Sequence, residues 1–148
     1  MNDMRTRRFL LTSALLFVLA LAWNGFVHLV VLRAANVSVQ HLRRPDLSDK
    51  LWLSLVVTAC IVILFAWGYT RFARDGSVKE GVRYGLYFAL VAGVLVDLNQ
   101  YVLFPIPASV ALQWFLGGLA EFTCYGVIVA KLLPPRPRDA ASGPRPPA

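Results

Sequence analysis

The chain has 148 residues, of which 57% are hydrophobic and 16% charged, and its formal net charge is +7. A water-soluble domain of this size is nearer half apolar, and a mean hydropathy of +0.59 points to lipid instead. The basic residues lie between long apolar runs and do not interleave with aromatics on one face, which excludes the pattern of a nucleic-acid-binding protein.

In chain order, four stretches reach the roughly 20 apolar residues that a spanning helix needs: 9–32, 51–72, 82–104 and 108–132. The first follows a basic start at Arg5, Arg7 and Arg8. That start, the apolar run and the triplet Ala20-Leu21-Ala22 also fit a cleavable secretory signal, whose removal would leave three spans. Continuation of the run to Leu32 favours an anchor. Loop 33–50 carries Val37, Val39, Leu42 and Leu47 among polar residues and reads as an amphipathic segment on the membrane surface. Its Asn36-Val37-Ser38 triplet matches a glycosylation acceptor, a pattern that arises often by chance and is given no weight. Asp46 or Ser48 offers an N-cap for the second span. Cys60 in that span and Cys124 in the fourth read as small buried side chains, with no disulfide framework.

Gly76 is suited to end the second helix's extension, and Ser77 with Glu80 has the spacing of a capping box for the third. Pro105 and Pro107 stop the third span and open the fourth with no charge between them, so these two helices form a hairpin. The segment 133–148, rich in Pro and Arg, cannot bury a core and is expected to be disordered. The expected fold is thus an all-α four-transmembrane-helix bundle with one domain over 1–132. Lys and Arg near span ends are retained in the cytoplasm, and their excess beside the two termini and the 73–77 turn places both termini there. Trp52, Tyr101 and Trp114 then fall near the outer interface, and Trp67, Tyr69, Tyr84 and Tyr87 near the inner one.

The polar residues inside the spans carry what chemistry there is. An acidic residue near a span centre costs about 2.5 to 3.5 kcal/mol, so Asp97 and Glu121 should face the bundle interior. Gly81, Gly85, Ala89, Gly93, Asp97 and Tyr101 recur every four residues, the spacing of one helix face, and the small ones allow a close helix contact. Gln113, Gly117, Glu121 and Tyr125 repeat the pattern in the fourth span, while Asn24 and His28 share a face in the first. Counted at 1.5 Å per residue, Asn24, His28, Asp97, Gln100 and Gln113 fall in the outer half of the bilayer and Glu121 near its middle. The hypothesis is a polar cavity lined by Asn24, His28, Asp97, Gln100 and Glu121 with Tyr101 at its mouth. Polar groups also serve as glue between helices, each contributing about 0.6 kcal/mol, and this reading stands for Asn24, Asn99, Gln100 and Gln113.

Several chemistries fail on residue count. His41 in the loop is the only second histidine, which denies a haem its paired ligands, and one His with two carboxylates on three helices is a weak metal set. No nucleophile has a neighbouring His and acid, and no phosphate loop is present. No metal, cofactor or catalytic residue is therefore assigned. With Trp23-Asn24-Gly25 and His28, Gly81-x-x-x-Gly85-Leu86 leading to Asp97-Leu98-Asn99, and Glu121, residues 9–132 resemble small four-span bacterial membrane proteins grouped as domains of unknown function. The resemblance implies a bacterial inner-membrane location and transfers no catalytic residue. Two functions remain open: a non-enzymatic accessory protein that binds a membrane partner or further copies of itself, and a carrier or binding protein that moves a proton, cation or small polar solute through His28, Asp97 and Glu121.

Overall fold

A computed structural model describes residues 2–133, so the tail beyond Leu133 lies outside the described residues. Among them every regular element is helical, and four helices are long and apolar enough to cross a membrane: Asp3–Val31, Ser48–Phe72, Val78–Leu103 and Ala108–Leu132. The first comprises α1 (Asn2–Phe26) and a π-helical turn, Val27–Val31. A loop containing the short α2 (Arg33–Ser38) leads to α3 (Leu51–Phe72). The third is α4 (Val78–Gly93), a second π turn at Val94–Leu98 and α5 (Asn99–Leu103), and the fourth is α6 (Ala108–Leu132). The sequence pattern contains no sign of the π turns.

Glycine decides how α4 and α6 meet. A Cβ on Gly81 would collide with the carbonyl oxygen of Gly126, one on Gly85 with that of Phe122, and one on Gly126 with that of Gly81. Lipid tails are as apolar as leucine, so such helices associate through close van der Waals contact, which these backbones make directly. Ala89 is buried on the same ridge, and the missing side chain of Gly93 leaves room for the Phe115 ring. Gly117 does not join this seam. A Cβ there would stand 3.6 Å from Val27 in the first π turn, an ordinary contact.

Below the seam an aromatic core fills the half of the bundle that holds both chain ends. Phe65 is fully buried, with ring centroids 4.9 Å from Tyr84, 5.0 Å from Phe88 and 5.6 Å from Phe122. The Tyr84 hydroxyl donates to the Phe65 carbonyl at 2.8 Å, and Gly68 makes space for that hydroxyl. Tyr69 and Tyr84 are therefore interior residues and do not form part of an interfacial belt, while Trp52, Trp67, Tyr87 and Tyr101 are exposed on the bundle surface. Cys60 and Cys124 are also exposed, contrary to the sequence expectation of burial. An apolar run surrounds the lipid-facing and the interior sides of a helix alike, so hydropathy does not separate them.

The 33–50 loop departs most from expectation. Val39 is buried against Ile106, Val110 and Ala111, with Leu42 packed alongside, so this part of the segment folds onto the corner before α6, while Val37 and Leu47 stay exposed. Neither Asp46 nor Ser48 caps α3. Asp46 instead binds Lys50 and Arg44, which together hold its carboxyl below the usual carboxylate range. At the opposite end α3 stops at Phe72, and Gly76 takes φ 69°, the left-handed region that favours glycine. Ser77 caps α4 by accepting from the Glu80 N–H at 3.1 Å. The Glu80 carboxylate does not complete the box at Ser77; it accepts from the N–H groups of Arg74, Asp75 and Gly76 at 2.6, 3.1 and 2.8 Å. The freed Ser77 N–H donates to Asp75 at 2.8 Å, the main cause of a lowered Asp75 pKa.

Candidate functional site

The α4–α6 seam is tightest from Gly81 to Ala89, and beyond it towards the loop the spans part around a cavity of about 780 Å³. Its depth can be read from the register of α6, which enters from the loop and rises 1.5 Å per residue. Trp114 stands near the rim, Gly117 and Gly118 one turn deeper, Glu121 and Phe122 next, and Tyr125 at the floor. The other helices supply matching layers. Thr58, Ile61 and Val62 of α3 make an apolar wall, so the second span contributes packing surface more than polarity.

Five of the six pocket residues singled out from sequence line this cavity: Asn24, His28, Asp97, Gln100 and Glu121. The sixth, Tyr101, is 53% exposed and outside the lining. Tyr101 lies about 100° around the helix from Gln100, on a face that the lining does not include. Asn99 and Gln113 are exposed as well.

Glu121 is the best-held group. Its carboxylate accepts from the Tyr125 hydroxyl at 2.5 Å, one turn along α6, and from Asn24 Nδ2 at 3.1 Å across the bundle. Asn24 also donates to its own helix at the Ala20 carbonyl, 2.9 Å away. Asp97 lies against Gly118, close enough to Glu121 for their charges to interact, yet makes no hydrogen bond or ion pair to a described residue. His28 and Asp97 both sit within π turns. Such turns shift the backbone register locally and recur at functional sites.

Asn36, given no weight as a glycosylation triplet, organises the rim. It is 7% exposed, its Nδ2 lies 3.2 Å from His28 Nδ1 and donates to the His28 carbonyl at 2.9 Å, and its Oδ1 accepts from Trp114 Nε1 at 3.1 Å. These bonds tie the loop to the first and fourth spans together. The available signal was its spacing: Asn36 precedes the buried Val39 by three residues and so shares its helix face. Sequence reading also missed Arg43, a rim residue, and Trp23, which lines the wall. Among the described residues no three His, Cys, Asp or Glu side chains gather as a metal ion would require.

Fold and site together define a four-span helical bundle of the multi-pass membrane type, with a cavity between its spans that is walled mainly by apolar side chains and carries a few polar ones. No protein-family model, curated protein or solved structure matches the chain.

Proposed function

We propose that the protein binds a small polar or cationic solute in the cavity between its spans, as a carrier or binding protein of a bacterial inner membrane with both ends cytoplasmic. The observation that supports this is convergence: polar groups from the first, third and fourth spans and from the loop line one space of about 780 Å³. Ionisable groups are expensive within a membrane and tend to mark solute or ion pathways, so a carboxylate left without a partner there has a use to explain it. The Lys and Arg excess near the termini and the 73–77 turn supports the orientation. An accessory role through self-association drew on the small-residue ridge of the third span. Gly81 and Gly85 of that ridge are covered by α6 of the same chain, so self-association would need another face.

The test compares wild type with Asp97→Asn and Glu121→Gln in lipid nanodiscs, scanning thermal unfolding over a panel of alkali cations, organic ammonium ions and small polar solutes. At least one class is expected to raise the wild-type transition temperature and to lose that effect in Asp97→Asn, with the unliganded proteins unfolding alike. A panel with no hit, or equal shifts in all three proteins, overturns the proposal.

A further inference from the structure

Besides Glu121, which Tyr125 and Asn24 hold, the cavity carries two opposite charges that do not use each other. Asp97 stands part-way down, beside Gly118. Arg43 stands at the rim, where its charge is felt at His28. The Arg43 guanidinium, like the Asp97 carboxylate, has no hydrogen bond or ion pair to a described residue, although Arg44 and Lys50 nearby are both paired with Asp46. On α6 the Asp97 carboxylate stands at Gly118 and the rim at Trp114, four residues and about 6 Å of axial rise apart. Trp23, Gly93 and Val96 add uncharged wall to the same space.

Unpaired opposite charges at the two ends of one space fit a ligand with the inverse arrangement. We propose that the ligand is a zwitterion, bound with an ammonium group inward at Asp97 and Glu121 and an acidic group, carboxylate or phosphate, outward at Arg43. This rests on the solute-binding reading above and adds the ligand's class and direction. Charge-assisted hydrogen bonds at both poles make each about twice as strong as a neutral bond, and the Trp23 and Trp114 rings supply π faces for the cation's passage. Two sources share this chemistry, a free zwitterionic solute and the headgroup of a zwitterionic phospholipid.

The experiment titrates full-length protein in phosphatidylglycerol nanodiscs with 6-aminohexanoate, hexylamine and hexanoate, following tryptophan emission, since Trp23 and Trp114 line the cavity. The expected result is at least tenfold tighter binding of 6-aminohexanoate than of either single-charge analogue. Arg43→Gln should bring 6-aminohexanoate down to the level of hexylamine, and Asp97→Asn should weaken both amines at least tenfold. A repeat in phosphatidylethanolamine nanodiscs separates the sources: competition by the bilayer, with phosphatidylethanolamine retained in native mass spectra of wild type but lost in Asp97→Asn, marks a lipid headgroup, and unchanged affinity marks a free solute. Hexylamine binding within threefold of 6-aminohexanoate, or a preference that survives Arg43→Gln, overturns the two-pole arrangement while leaving solute binding standing. Absence of binding by all three probes with no retained lipid overturns it too, whereas the solute-binding reading falls only on its own panel.

Discussion

The seam between α4 and α6 gives a sharp test, because at Gly85 a single methyl group meets backbone and not a movable side chain. A Cβ at that position would run into the carbonyl of Phe122 and crowd Thr123 Cα. Relief requires the helices to part by about 1 Å, and a gap of that size forfeits up to half of each contact's attraction along the ridge. Overpacking of this kind costs about 1–3 kcal/mol, from which Gly→Ala recovers about 0.5–1 kcal/mol of helix propensity. Gly85→Ala should therefore lose about 0.5–2 kcal/mol, roughly a 2- to 30-fold shift in the unfolding equilibrium. The matched control is Gly25→Ala, where a Cβ meets nothing within 4 Å, and this variant should be neutral or slightly more stable. Steric-trapping measurement of both in nanodiscs would check the difference. Equal stability, or a more stable Gly85→Ala, would refute the argument that direct backbone contact holds this half of the bundle.

Asn36→Ala removes the partner of Trp114 Nε1 and of two His28 atoms. Unsatisfied buried groups cost about 1–3 kcal/mol, so backbone hydrogen exchange over 33–42 should speed up at least fivefold without loss of the whole fold. Gly118→Leu should fill the cavity instead of splitting the helices, since a Cβ there reaches only ordinary contact, 3.7 Å, with Asp97 Oδ2; ligand-induced stabilisation should vanish while the unliganded transition temperature stays within a few degrees. The loop should also respond to acid. The Asp46 carboxyl has a pKa below its ordinary value, so the stabilisation from Lys50 and Arg44 is full above the unfolded-state pKa, near 4, and is lost as pH falls through the lower folded value. Exchange over 44–50 should therefore be flat from pH 7 to 5, after correction for intrinsic rates, and accelerate below about pH 4; acceleration beginning above pH 6 would implicate another group.

The four spans were legible because length and mean apolarity are summed properties, insensitive to any one neighbour. The seam was legible at Gly81 and Gly85 for a related reason: small residues four apart have few uses other than letting backbones meet. What escaped notice depends on partners that sequence does not display. A π turn adds no characteristic residue, so Val27–Val31 and Val94–Leu98 look like the helix around them. Tyr69, Tyr84 and Trp114 have an apolar body and a polar tip, a combination that suits a bilayer interface and an interior equally, and only the Phe65 carbonyl and the Asn36 amide decide for Tyr84 and Trp114. The approach of Arg43 to the cavity depends on Val39 and Leu42 folding the loop back onto Ile106 and Val110, contacts that no local pattern displays.

Glycine has opposite effects in the two halves of the molecule, and the contrast accounts for where the cavity lies. On one side of Ala89, Gly81, Gly85 and Gly126 remove side chains so that two backbones can touch. On the other, Gly117 and Gly118 face only Val27 and Asp97 at ordinary contact distance, and there the missing side chains leave open space. Helices clamped at one end and unfilled at the other must enclose a void unless bulky residues occupy it. In this half Phe115 fills the space at Gly93, and Trp23 and Trp114 form wall and rim, with Trp114 anchored by Asn36. A bundle selected for stability alone would gain by placing leucine at Gly118. The space persists together with a carboxylate and a guanidinium that pair with no described residue, which is the arrangement a bound solute would complete.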